Sequence, residues 1–250
     1  MLKIYGVKLL IRIIVFAWGV LIYVKNKSGL IVSDSLSLAN GIQPLHILWM
    51  ILAAEIIQKF FPKARTSIGC RKHFKANYAP NMIKPAKSEI TAWIKTENTA
   101  AKKVFALWFG GNLIIAALYY QQVLSESEMV MLTLCYYIGD LICVLLYCPF
   151  QFFIMKNRCC ITCRIFNWDS LMIVTPLIFI PSFFSWSLVF LATLSFIRWE
   201  SVFHRHPQRF WGKTNDNLKC GLCEEKLCLL KSAVYNRQTT LIRNGFNAKK

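Results

Sequence analysis

Apolar residues in this chain gather into long blocks, and the polar residues collect between them. Five such blocks can be drawn, at Ile4 to Val24, Leu38 to Phe61, Val104 to Gln122, Met129 to Met155 and Leu171 to Trp199. A span of the hydrocarbon core needs about 20 apolar residues. In that medium only helices or closed barrels satisfy their own backbone groups. The blocks therefore predict an all-α, polytopic helical integral membrane protein. It has four spans plus a C-terminal helical hairpin or fifth span, and a basic, cysteine-rich cytoplasmic tail.

The same pattern divides the chain. Residues 1–61 hold the first two membrane segments, 62–103 a basic cytoplasmic loop, and 104–155 the third and fourth segments. Residues 156–170 form a CCxxC loop, 171–199 a proline-broken hairpin or span, and 200–250 a basic tail with cysteines. Lys8 and Arg12 interrupt the first block one turn apart, where they can snorkel to the nearer headgroups. No small-x-small cleavage site follows Val24, so this block reads as retained. Ser125 and Glu128 form a capping-box pattern before the fourth block. Asp169 and Ser170 are good N-cap residues before the last.

Charge orients the spans. Residues 62–103 carry ten Lys or Arg against two acids, whereas residues 123–128 carry two acids and no base. The positive-inside rule puts the first segment in the cytoplasm and the second outside, with the N-terminus cytoplasmic. Residues 200–250 hold ten further Lys or Arg against four acids, so they too should be cytoplasmic. A single crossing at 171–199 would place them outside. A hairpin turning near Pro181 resolves the conflict, since Pro176 and Pro181 both interrupt a helix.

Composition agrees, with 56% hydrophobic and 17% charged residues. The net charge of +18 would suggest nucleic acid on a soluble protein. Beside apolar spans it points instead to a bilayer with anionic headgroups. Other membrane or cytoplasmic subunits are the further partners this class implies.

Six of the ten cysteines form two groups, Cys159, Cys160 and Cys163 (CCxxC) and Cys220, Cys223 and Cys228 (CxxCxxxxC). A CxxC turn presents two thiolates, and two such turns can hold one tetrahedral metal. A reducing cytosol favours metal binding over disulfides. Zinc is the first expectation and an iron–sulfur cluster the alternative. Cys135, Cys143 and Cys148, inside the fourth block, read as packing residues.

Of the polar residues inside the blocks, four stand out as site candidates: Asp140, Glu55, His46 and Asn112. An ionised carboxylate near mid-bilayer costs about 2.5–3.5 kcal/mol on the insertion scale, so Asp140 should face protein, water or a ligand. Glu55, His46 and Asn112 are explained by interhelical hydrogen bonding or by a nearby interface. No phosphate loop, nucleophile elbow or zinc-protease motif occurs, so catalysis is neither indicated nor excluded. Three functions remain. The first is a membrane subunit or scaffold whose cysteine metal site organises the tail for docking. The second is a redox protein carrying an iron–sulfur cluster, and the third a small transporter or channel using Asp140.

Overall fold

A computed structural model describes residues 2–25, 27–30, 43–61, 70–82, 85–157 and 163–219. Among these residues the chain is helical, and its only β pairing is an isolated antiparallel bridge between Pro80 and Asn215. Six α-helices follow in order: α1 (Leu2–Lys25), α2 (Pro44–Gln58), α3 (Lys87–Tyr120), α4 (Glu126–Leu145), α5 (Asp169–Val174) and α6 (Phe183–Arg205). Helices α1, α3, α4 and α6 are long and apolar enough to cross a membrane. Helix α2 is apolar but has 15 residues. At 1.5 Å per residue it is about 22 Å long, short of the roughly 30 Å of a hydrocarbon core.

Contacts fix the direction of each helix. Arg12 of α1 meets Asp140 of α4, and Tyr23 meets Glu128, so α1 and α4 are antiparallel. Helices α2 and α6 run parallel, because Trp49 bonds Ser187 near their starts and Arg198 bonds the Phe60 carbonyl near their ends. Helix α3 opposes α6, with Trp93 packed against Phe203. Tyr5, the segments around 60, 75 and 165, and the end of α6 therefore gather at one end of the bundle. Lys27, Ser125 and the turn at Pro181 lie at the other.

The blocks and the helices differ in three places. Helix α3 begins at Lys87 rather than at Val104, because a charged stretch continues the helix beyond the apolar run. Thr91, Thr96 and Thr99 each return their hydroxyl to the carbonyl four residues earlier. The fourth block is broken. Helix α4 stops at Leu145, Pro149 follows, and residues 150–155 form a π-helical turn that ends at Lys156 with a left-handed φ of 50°. Proline supplies no N–H to continue the ladder. The last block is divided too: α5 passes into a 3₁₀ stretch at Thr175–Phe179 containing Pro176, and α6 starts only after Pro181. Trp168 packs against Phe196, so the limbs on either side of that turn lie together.

The capping box before α4 forms as the pattern predicts, with the Ser125 N–H 2.6 Å from Glu128 Oε2. Asp169 and Ser170 serve differently. Asp169 is the first residue of α5, and both side chains contact Lys59 (Nζ to Asp169 Oδ2 2.5 Å, to Ser170 Oγ 2.6 Å).

The main core lies between α1, α2, α4 and α6 and includes Val15, Leu52, Leu134, Leu188 and Ala192. Large apolar side chains also point outward, Leu10, Ile14, Ile114 and Phe190 among them. At Gly19 the helices α1 and α4 approach closely, since a Cβ there would stand 2.4 Å from Cδ1 of the buried Leu134. Gly19→Val is expected to lose about 1–3 kcal/mol through overpacking, measured by denaturant titration in bicelles. Leu134→Ala in the same chain should recover part of the loss.

At the end of the bundle that holds Tyr5 and the end of α6, residues 77–81 dock on 213–217. Asn81 N–H donates to the Thr214 carbonyl (3.2 Å), Asp216 N–H to Ala79 (2.8 Å), and buried Asn215 donates to the Arg209 carbonyl (2.8 Å). His73 is fully buried in this dock, stacked on Phe210 at 4.3 Å and bonded to Asn167 at 3.3 Å. Burial pushes its pKa down to about 3. The folded state thus holds neutral imidazole, while the unfolded chain takes up a proton near pH 6.5. The stability contributed is complete above about pH 6.5 and is lost at about 1.4 kcal/mol per unit as the pH falls toward 3. Hydrogen exchange of residues 70–82 should accelerate between pH 7 and 4.5, and His73→Phe should remove most of that dependence.

Candidate functional site

Helices α1, α2 and α4 each contribute a charge at matching depth. Arg12, near the middle of α1, is only 4% exposed. Its Nη2 lies 2.8 Å from Glu55 Oε2 and its Nη1 2.8 Å from Asp140 Oδ2. Nη1 also donates to the Tyr137 carbonyl at 2.6 Å, and the guanidinium sits 4.3 Å over the Tyr137 ring. Tyr137 Oη donates to Glu55 Oε1 at 2.8 Å, which closes the ring of contacts. One planar fork thus satisfies two carboxylates, a task for which the five fixed donors of arginine suit it better than lysine. Lys59 and Asp169 form a second pair nearby.

Snorkelling does not describe Arg12. Carboxylates on α2 and α4 hold it inside, where direct pairing replaces the hydration it gives up. The signal was available in sequence as opposite charges in three apolar blocks, but their depths align only once the helices pack. Tyr137, Lys59 and Asp169 were not singled out for this role.

Beside the cluster is a cavity of about 380 Å³. Its walls come from α3 (Trp108), α4 (Tyr136, Asp140, Cys143), the π turn (Phe150) and the limb leading into α5 (Phe166, Asp169). Both Asp140 and Asp169 reach it, and among the described residues lining it there is no Lys, Arg or His. The cations that neutralise these carboxylates, Arg12 and Lys59, are not among the lining residues. The chamber is mostly apolar, and its only charged groups are anionic. A volume of this size with few polar groups suits a small organic ligand.

The other two polar residues have local roles. His46 lies at the start of α2, where its Nδ1 accepts from the Gln43 N–H (2.9 Å) and its ring packs on Phe184. Asn112 is buried, donates to the Trp108 carbonyl at 2.9 Å and accepts from Tyr136 Oη at 3.4 Å. Neither joins the ionic cluster. A further buried ion pair, beyond the Arg12 cluster and Lys59–Asp169, was not foreseen. Arg164 pairs with Glu200 and donates to Asn98 Oδ1 at 2.5 Å, and Trp168 Nε1 donates to Glu200 at 2.7 Å.

Of the six cysteines in the two motifs, Cys159, Cys160, Cys220, Cys223 and Cys228 lie outside the described residues. Cys163 is buried against Met155, Ile165 and Trp168 and borders the cavity. Among the described residues no group of three or more His, Cys, Asp or Glu is placed to hold a metal. Cys135, Cys143 and Cys148 line the cavity; Cys135 is exposed rather than packed in the core, and Cys148, beyond the end of α4, packs against the cluster of Tyr5, Leu141 and Phe166. Comparison of the chain with protein-family models, curated proteins and solved structures returns no match.

Proposed function

We propose that this chain is an integral membrane protein that binds a small, largely apolar organic cation in the cavity between α3, α4 and the limb before α5. In this reading Asp140 accepts from the cationic head. The observation that carries it is the lining: two carboxylates, apolar walls and no cation among the described residues. Asp140 is suited to the role because Arg12 binds one oxygen, Oδ2, and fixes the side chain in place. The outward-facing apolar side chains and the four spanning-length helices support membrane integration. Five basic segments or helix ends at one end of the bundle support a cytoplasmic location for that end. The parallel course of α2 and α6 supports a membrane hairpin turning at Pro181. A transporter or a membrane-embedded sensor would both use such a site.

Cys143, on the cavity wall, provides the test. With the protein in nanodiscs, octylammonium should protect Cys143 from N-ethylmaleimide, followed by peptide mass spectrometry. Octanoate should not, and Asp140→Asn should abolish the protection. Equal protection by the amine and the acid would exclude the proposed charge preference.

One observation favours a second reading, in which the cysteine motifs form a metal site that organises the tail. Lys219 begins the tail at the end of the bundle where Arg164 lies, joined there through Asn217 and Asn77. Zinc is the first candidate and an iron–sulfur cluster the second, the latter making the protein redox-active. Elemental analysis and a visible spectrum of wild type, Cys163→Ser and Cys223→Ser test it. Loss of metal in both variants supports one shared centre.

A further inference from the structure

A second opening, at the basic end of the molecule, has the opposite polarity. It is a cleft of about 550 Å³ between the 70–82 segment and the last turns of α6, lined by His73, Phe74, Lys75, Arg198, Trp199 and Arg209 among others. Among the described residues lining it there is no Asp or Glu.

Two polar atoms on this cleft's lining residues are buried and lack a hydrogen-bond partner among the described residues, His73 Nε2 and Trp199 Nε1. Both are donors. Indole nitrogen only donates, and a neutral imidazole whose Nδ1 accepts from Asn167 carries its proton on Nε2. A buried donor left unpaired keeps its full desolvation cost, so such groups call for a partner. What is missing here is an acceptor.

The charges around the cleft select its type. Arg198 holds one edge, donating to the Phe60 carbonyl (2.9 Å) and lying 5.9 Å over the Phe74 ring. Lys75 and Arg209 hold another. Neighbouring His206 is kept below its ordinary pKa by desolvation and then by the positive charges of Arg209, Lys75 and Arg205.

From two orphan N–H donors on its lining residues, and three cations around a cleft whose described lining holds no acid, we infer a binding site for a phosphate-bearing anion at the basic end of the bundle. The donors and cations together match the several acceptor oxygens of a phosphate group. Its place at the end of the apolar helices, with Trp199 and Phe74 forming the floor, also matches a phospholipid head whose chains run along α6. The same chemistry would take a soluble phosphate compound.

The test uses the full chain in nanodiscs, wild type and Lys75→Gln/Arg209→Gln, with Lys213→Gln as a basic-surface control outside the cleft. Native mass spectrometry counts phosphatidylglycerol retained from mixed phosphatidylcholine discs. Equilibrium dialysis of inorganic phosphate is measured in discs of phosphatidylcholine alone. Retention of about one phosphatidylglycerol per chain, weakened at least about tenfold in the double variant and unchanged in Lys213→Gln, supports the site with a lipid occupant; loss of two charge-assisted bonds is ample for that change. Saturable phosphate binding in the lipid-neutral discs, lost in the same variant, supports it with a soluble occupant. His73→Phe, which keeps the stacked ring and removes Nε2, should weaken whichever ligand binds. Neither ligand bound at one per chain, or binding equal in wild type and double variant, overturns the inference.

Discussion

Arg12→Leu is expected to destabilise the bundle by about 3–5 kcal/mol, because it strips two largely buried carboxylates of the guanidinium they share. Glu55 and Asp140 both direct an oxygen at the guanidinium from 2.8 Å, and Tyr137 would lose its cation contact as well. The loss should appear as a lower midpoint in SDS titration from bicelles and as poor accumulation in the membrane. The triple variant Arg12→Leu/Glu55→Gln/Asp140→Asn removes the stranded charges together, so it should recover most of the stability. A single variant within about 1 kcal/mol of wild type would mean that Arg12 reaches the headgroups and that the cluster is not what holds α1.

The second large effect is expected at Arg164. It joins the limb before α5 to α6 through Glu200, binds Asn98 of α3, and stacks 3.8 Å over the Phe203 ring. Arg164→Leu should cost about 3 kcal/mol or more, since Glu200 would keep only the Trp168 N–H and a distant contact with His204 at 3.9 Å. The damage should be local. Hydrogen exchange should rise across residues 163–174 and the C-terminal half of α6, while the Arg12 region keeps its protection. Glu200→Gln in the Arg164→Leu background should return part of the loss, which separates an unpaired charge from lost packing.

Much of the architecture was readable from the chain because the solvent implied by its apolar blocks sorts residues coarsely. Helix α1 matches its block to within two residues at the N-terminus and one at the C-terminus. The Ser125–Glu128 signature marks the start of α4, since a capping box is local and needs no tertiary partner. The interruptions at Pro149 and Pro181 have the same local origin, but only the second was used; the first was passed over because the flanking residues are uniformly apolar. The early start of α3 was hidden by Lys102 and Lys103, which mark the edge of an apolar run without ending a helix. Arg12 was misplaced for a different reason. Whether a lone cation in an apolar block snorkels or stays buried depends on what the next helices bring to its depth, and that is decided by packing. Asp140 could be picked out by its position, but its cavity could not, because one wall comes from Phe150 and Phe166, beyond the break after α4. The metal-site expectation rests on five cysteines outside the described residues, so the structure bears on it only through Cys163.

Among their described lining residues the cavity and the cleft form a complementary pair, one carrying carboxylates and no cation, the other cations but no acid. The cavity is the centre of the functional account, and a calorimetric titration in nanodiscs addresses it most directly. Octylammonium, 1-octanol and octanoate are compared on wild type and Asp140→Asn, which keeps the side-chain shape and leaves Arg12 paired with Glu55. A hydrogen bond to an ionised partner is worth about 1.5–3 kcal/mol, or roughly tenfold or more in affinity. The account predicts one saturable site per chain that prefers octylammonium over octanol by about that factor, rejects octanoate, and loses its preference in Asp140→Asn. Octanoate binding as tightly as octylammonium, or an unchanged preference in Asp140→Asn, would contradict it.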